Sequence, residues 1–256
     1  MMRSGRSLAS TFVATVLFAS GIMSAPIAAA KETDWTSFAG GIAPGATIAQ
    51  VGETSSSACT LGFIAGDPIT HKLYGITAGH CDHSSTMQPT VLYTDANSPD
   101  IARPLGTYTA SRQTDGTTTS GKPGDLPTYT DAGIIGLRDG TAIASFKLAG
   151  VYPVRSVVED YQDLPYGTEV CKYGMRTGET CGPVTVASKY TITAEVHAIH
   201  GDSGSPLYRK NNDGTVDLIG ILSNGIATEF GASQQFFWVG PLLRALKLQV
   251  CGCGPN

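Results

Sequence analysis

Ser203 stands in Gly201-Asp202-Ser203-Gly204, and a serine framed by glycines is either part of a tight turn or a hydroxyl held out for attack. Each glycine permits backbone angles that other residues resist, which suits both readings. A free hydroxyl is a poor nucleophile at neutral pH, so the second reading requires a base and a group that orients the base. Histidines occur at 71, 80, 83, 197 and 200. His80 lies in "GITAGHC", directly after an apolar run and beside a cysteine able to pin its loop. Such a mount suits a base that must stay within hydrogen-bond reach of its donor; the bland alternative is a surface histidine at a strand end. The third group must be a carboxylate buried against the imidazole, fixing its tautomer and stabilising the imidazolium. Asp131 enters the apolar run "DAGIIGL" and fits, whereas Asp100 is followed by Arg103 and Pro104, which interrupt its strand pattern. Together His80, Asp131 and Ser203 have the chemistry for acyl transfer at a carbonyl.

Short strand-like runs surround these residues. "TLGFIA", "KLYGITA", "TVLYT" and "AGIIGL" fall between 48 and 138, and "GVYPVRSV", "TEVCKYG", "GPVTVASKYTITAEV", "SPLYRK", "TVDLIGILSNG" and "QQFFWVG" follow after 150. "TASRQTDGTTTSGKPGDLP" reads as a surface loop, "RDGTAIASFKLAG" (about 139–150) as a linker, and "NNDG" at 211–214 as a hairpin turn. Val239, Leu242, Leu243, Leu246 and Val250 follow a helical spacing with Pro241 near its start, so the chain is expected to end in an amphipathic helix and tail over 241–256. The expectation is all-β: one β unit over 46–138, a second over 151–240, and a terminal helix.

Residues 1–30 carry Arg3 and Arg6, an apolar run and a small-residue end at Ala30, the pattern of a secretory signal peptide rather than a membrane anchor. Its removal leaves 226 residues, 15 basic against 21 acidic, with 31–45 as an N-terminal arm or short processed segment. That balance argues against nucleic acid as a partner, since phosphate binding draws on clustered Lys and Arg. A secreted, soluble monomer without membrane attachment is expected. Six cysteines, at 59, 81, 171, 181, 251 and 253, point in an exported chain to disulfides. Six allow 15 pairings; proximity favours Cys59 with Cys81 and Cys171 with Cys181. Their spacing with histidine does not suit zinc, and neither metal nor cofactor is expected.

"TAGHC", "DAGIIGL" and "GDSG", in that order, with "CTLGF" before and "SNG" after, resemble the chymotrypsin-like serine proteases. "VCKYGMRTGETCG" is similar to the hairpin of the secreted bacterial branch, the streptogrisins and α-lytic protease. The resemblance covers roughly residues 46–248 and implies two antiparallel six-stranded β-barrels with the site between them. His80 and Asp131 would come from the first barrel and Ser203 from the second. It further implies a secreted serine endopeptidase acting on protein or peptide substrates, with an oxyanion hole formed by the N–H groups of Gly201 and Ser203. Asp202 would pair with Lys172, the basic residue after the hairpin cysteine. In the substrate pocket His197 would form the base, Ala198 and Ile199 one wall, His200 the rim, and Ser223, Asn224 and Gly225 the other wall. No acid stands at that base, which disfavours an Arg/Lys preference, and Glu229 lies close enough in sequence to influence the pocket.

This chain departs from the pattern in three places. Ser205 replaces the usual glycine, the cysteine expected shortly before Ser203 is absent, and Cys251 and Cys253 sit in a "CGCG" tail. Only a short segment separates the signal from the first barrel, so no large pro-region is present between them. Two other classes compete. GDSL-type esterases also open on Gly-Asp-Ser, but their histidine follows the serine, and no histidine follows His200 here. A catalytically impaired binding protein on the protease fold is the second.

Overall fold

The computed structural model describes residues 36–121, 126–228 and 231–252. The export segment expected over 1–30 lies outside them, as do Glu229 and Cys253.

Seven strands make up the first unit: β1 (Thr47–Val51), β2 (Ser56–Thr60), β3 (Phe63–Gly66), β4 (Leu73–Thr77), β5 (Thr90–Asp95), β6 (Ser98–Arg112) and β7 (Ala132–Leu137). Seven more make up the second: β8 (Val154–Val157), β9 (Glu169–Gly174), β10 (Gly178–Ala187), β11 (Thr191–Ala194), β12 (Pro206–Lys210), β13 (Val216–Thr228) and β14 (Gly231–Trp238). A helix, α1 (Val239–Leu246), and a two-residue strand, β15 (Gln249–Val250), follow.

The first sheet runs β15-β3-β4-β7-β6-β5-β1-β2. Gly45 N donates to Leu61 O and Leu61 N to Ala46 O, which carries the β1–β2 ladder on toward β3. The second runs β12-β9-β10-β11-β14-β13-β8, and β12 also pairs with β13, so six antiparallel strands close on themselves. β8 is an addition, parallel to β13. The two-barrel all-β architecture expected from sequence is present, with two strands beyond six in the first sheet and one in the second.

Alternation of side chains places Ile48, Leu61, Ile64, Leu105 and Ile135 inside the first barrel and Val170, Ile192, Leu207, Ile219 and Phe236 inside the second. A third cluster lies between them. Phe63 and Ile76 meet Tyr208, Ile221 and Phe237 there, and Leu242 and Leu243 of α1 pack on the same cluster. Each such fully buried side chain contributes about 1.5–3 kcal/mol.

Several segments differ from the sequence reading. Arg103 and Pro104 do not end a strand: they lie within β6, opposite Tyr93 and Leu92, and a register shift between Val91 and Leu92 accommodates the proline. The helix stops at Leu246 because Lys247 adopts a left-handed conformation, φ 56°, and Val250 belongs to β15, which returns to β3 of the first barrel. Residues at the end of the presumed arm are built in: Ile42 and Ala43 are fully buried, and Ile42 N donates to Ala142 O while Ala144 N donates to Ile42 O. The linker and the arm thus satisfy each other's backbone groups.

Cys59 is bonded to Cys81 and Cys171 to Cys181. The first bond ties β2 to the 3-10 turn Gly79–Cys81 that carries His80; the second crosses paired positions of β9 and β10. Cys251 is a half-buried free thiol whose ionisation is pushed up by burial. Replacing Cys59 and Cys81 together by Ala is expected to lower the unfolding free energy by about 3 kcal/mol, the value for a loop of this size, in urea titrations monitored by fluorescence. A loss within error of zero would show that the bond does not constrain the chain.

Candidate active site

Elements from both barrels converge on one cleft. β4 delivers His80 through the turn pinned by Cys81, the loop before β7 delivers Asp131, and the loop before β12 delivers Ser203. His80 Nδ1 lies 2.7 Å from Asp131 Oδ2, and His80 Nε2 lies 2.9 Å from Ser203 Oγ. Asp131 is 1% exposed, and its other oxygen accepts the backbone N–H of His80 at 2.9 Å. Both carboxylate oxygens thus hold the histidine, one through its ring and one through its main chain. Asp100 lies exposed on β6 and takes no part.

Ser223 supplies a further contact that the sequence did not reveal. β13 carries an extra residue here: Leu222 opposes Phe236 and Asn224 opposes Gln235, leaving Ser223 unpaired. Such a bulge re-aims a side chain, and Ser223 Oγ donates to Asp131 Oδ2 at 2.6 Å. Placed by sequence on the pocket wall, Ser223 does line the cleft and also holds the carboxylate. Burial, followed by the nearby Asp82 and Asp131 carboxylates, pushes the Tyr108 phenol well above its ordinary range, which keeps a second negative charge away from Asp131.

The loop bearing Ser203 is a turn closed by Asp202 N donating to Ile199 O at 3.0 Å. Gly201 has φ +99°, as the third position of a type II turn requires. Among the described residues, neither the Gly201 N–H nor the Ser203 N–H has a protein acceptor. Gly204, φ +84°, could not be another residue, since a Cβ there would lie 2.1 Å from Thr77 Oγ1 and 2.5 Å from Thr60 O. Ser205, the departure from the family pattern, is fully buried and donates to Asp202 O.

Thr60 bridges the barrels. Its N–H donates to Ser203 O at 2.8 Å, its hydroxyl donates to Gly201 O at 2.9 Å and accepts from Met175 N at 3.0 Å. Nothing in "CTLGF" distinguished this threonine from an ordinary strand residue.

Asp202 and Lys172 are both fully buried, with Nζ 3.4 Å from Oδ2. The carboxylate is held mainly by shorter contacts: Oδ1 accepts from Arg176 N at 2.9 Å and Thr177 N at 3.2 Å, and Oδ2 from Thr177 Oγ1 at 2.7 Å and Ile199 N at 3.1 Å. Lys172 also donates to Thr177 Oγ1 and, at 3.1 Å, to Gly178 O. Thr177 therefore relays the lysine to the carboxylate, a role sequence reasoning missed.

The cleft beside Ser203 encloses about 660 Å³. Ala198, Ile199, His200, Asn224 and Gly225 line it as expected. His197 does not: its side chain is exposed, and its carbonyl accepts from Thr180 Oγ1 at 2.7 Å. The family resemblance put it at the base, but the chain at 197 is tied instead to β10. Gln234 of β14 lines the cleft, as do Gln113 and Thr114 beyond the end of β6, and none of the three was anticipated. The break in apolar alternation at "QQFFW" was the available signal for Gln234.

No family model matches the chain. Two uncharacterized proteins of Mycobacterium tuberculosis, MT1863 and Rv1815, are each 37% identical over 60 residues, a stretch that covers 23% of this chain and 27% of either relative. Among solved structures, a glutamic acid specific serine protease described as using a histidine triad in substrate binding superimposes with TM-score 0.58 at 18% identity, over 82% of this chain and all of that one. The chymotrypsin of Cellulomonas bogoriensis gives TM-score 0.52 at 23% identity, over 82% of this chain and 98% of that one. The chain has the double-barrel fold of the bacterial chymotrypsin-like serine proteases.

Burial pushes the Lys172 ammonium down to about 8, against the upward pull of Asp202. Between that value and its ordinary 10.5 the unfolded chain keeps a proton that the folded chain has released, so this group makes stability rise with pH across the window. Lys172→Met removes that contribution. Urea unfolding at pH 7 to 10 is expected to show the wild type gaining on the variant as pH rises; a constant difference would mean that Lys172 titrates normally.

Proposed function

We propose that the chain is a serine endopeptidase that hydrolyses peptide bonds through an acyl-enzyme. The observation that carries the reading is one hydrogen-bonded line from Ser203 Oγ through His80 to buried Asp131, 2.9 Å and 2.7 Å long, beside the N–H groups of Gly201 and Ser203, which have no acceptor among the described residues. In this mechanism Ser203 Oγ attacks the carbonyl carbon as His80 Nε2 takes its proton. The negative charge that develops on the carbonyl oxygen is received by the Gly201 and Ser203 N–H groups, each such donor contributing about 2.7–4 kcal/mol to the transition state. His80 then protonates the leaving amine, and a water activated by the same imidazole attacks the ester and releases Ser203. Asp131 stays ionised throughout and stabilises the imidazolium.

The reading extends to location and partners. Two disulfides favour an oxidising compartment, and the pattern of residues 1–30 supports export. The chain would act as a monomer on protein or peptide substrates, without metal, cofactor, nucleic acid or membrane. The glutamate preference of the structural neighbour is not carried over, because the histidines lining this cleft are His80, engaged by Asp131, and His200, which is exposed.

A fluorophosphonate is expected to label the folded protein stoichiometrically at Ser203, located by peptide mass mapping. Ser203→Ala and His80→Ala are each expected to lower kcat on a cleaved peptide by about 10⁶, as in a comparable triad. Asp131→Asn is expected to cost about 10⁴ by favouring the wrong tautomer. Folded protein that neither labels nor cleaves would instead be a binding protein on the protease fold.

A further inference from the structure

Of the polar side chains lining the cleft that the mechanism does not use, His200, Gln113, Thr114, Asn224 and Gln234, it is Gln234 that is buried. Gln234 is 5% exposed, yet it lines the space beside Ser203. It stands directly opposite Gly225 in the β13–β14 ladder, so both positions face the same way. Because Gly225 has no side chain, the carboxamide is uncovered: a Cβ built on Gly225 would lie 3.3 Å from Gln234 Oε1 and 3.6 Å from Nε2. Among the described residues, no hydrogen-bond partner of this carboxamide is found. A side-chain amide has two donor hydrogens and an acceptor oxygen; those of Gln234 are open to the cleft rather than sealed inside the barrel, so an occupant that covered them without pairing with them would strip their hydration at a cost. The position therefore awaits a group able to give and accept hydrogen bonds at once.

We infer that Gln234 is a specificity-determining residue, selecting substrates whose side chain on the acyl side of the cleaved bond is an uncharged carboxamide, glutamine or asparagine. The inference rests on the hydrolase reading and names the substrate class of that same cleft. Two carboxamides pair reciprocally, each N–H donating to the other's C=O, so the unmet donor and acceptor are satisfied together. Other side chains leave something unmatched. Lysine or arginine would need a free carboxylate, but the carboxylate lining the cleft, Asp131, is engaged by His80 and Ser223. An acidic side chain would bury its charge against a neutral amide, with His200 out in solvent. An apolar or aromatic side chain would seal the amide away from water and also meet it sterically, since Gln234 occupies the space behind Gly225.

The test is a set of fluorogenic peptides identical except at that one residue: Gln, Asn, Glu, Leu, Phe and Lys. The wild type is expected to give kcat/KM for Gln about 10-fold or more above Leu, Phe, Glu and Lys, a lower bound for a site that hydrogen-bonds its substrate. Gln234→Leu is expected to lower the Gln value about 100-fold and to reverse the Gln-to-Leu ratio. Fluorophosphonate labelling of Ser203 in the variant reports that its fold and nucleophile are intact. A labelled wild type that prefers Leu, Phe, Glu or Lys, or a labelled variant that keeps the wild-type ratio, overturns the inference. Binding of the Gln and Leu peptides to Ser203→Ala, by calorimetry, separates the two readings. Selective binding of the Gln peptide by a protein that neither labels nor cleaves would sink the hydrolase and keep the recognition. Equal binding of both peptides would sink the recognition itself.

Discussion

His80 and Asp131 are carried by turns of one sheet and Ser203 by a loop of the other, so the site exists only if the two sheets are held in register, and Thr60 is where that register is set. Its N–H and hydroxyl hold the carbonyls of Ser203 and Gly201, while its own hydroxyl oxygen receives the N–H of Met175. Thr77 Oγ1 in turn donates to Thr60 O at 2.8 Å, and Gly204 lies against both threonines. The apolar cluster between the barrels supplies attraction but little direction, because burial of apolar surface is indifferent to small slides. Hydrogen bonds lose strength steeply with misalignment. Reactions held by oriented groups lose about 100-fold for a displacement near 1 Å. The polar seam at Thr60 therefore sets the distance from His80 to Ser203, and the packing around it supplies only cohesion.

The second barrel has its own constraint, the buried carboxylate of Asp202. An ion removed from water must recover its solvation from hydrogen bonds and partner charge. Here the backbone of Arg176, Thr177 and Ile199 provides most of it, and the lysine, 3.4 Å away, acts partly through the Thr177 hydroxyl. Lysine is a point charge without the planar fork of arginine, so an intermediate hydroxyl that accepts from one partner and donates to the other suits it. The consequence reaches Ser203 directly. Asp202 draws in Ile199 N, the Ile199 carbonyl receives Asp202 N, and the intervening turn leaves Gly201 N–H and Ser203 N–H without acceptors among the described residues.

His80, Asp131, Ser203, both disulfide pairings and the two-unit β plan were legible in sequence because each is announced locally: a cysteine beside a histidine, an aspartate entering an apolar run, glycines flanking a serine. Contacts that depend on strand register were not. Thr60 and Thr177 look like any strand or turn threonine until the partner element is known. Pro104 read as a strand break, since nothing local reveals the register shift that admits it. His197 failed for a related reason: a position matched to the family's pattern stood in for position in the cleft, and the pairing of its carbonyl with Thr180 was invisible.

The bulge at Ser223 shows how one backbone irregularity joins orientation of the acid to composition of the pocket. Up to Leu222, β13 opposes β14 in the register that pairs 222 with 236; after Ser223 the pairing has slipped by one, and Gly225 opposes Gln234. Were the ladder regular, Gly225 would face Ser233, and Gln234 would lie beside Asn224. A one-residue slip moves each side chain to the other face of a strand. The same extra residue thus turns Ser223 toward Asp131 and brings a carboxamide into the space that Gly225 leaves open. Neighbours that share the fold at 18–23% identity need not share that pairing of positions. The chemistry of the pocket has to be read from this chain's own register, because the fold alone does not specify it.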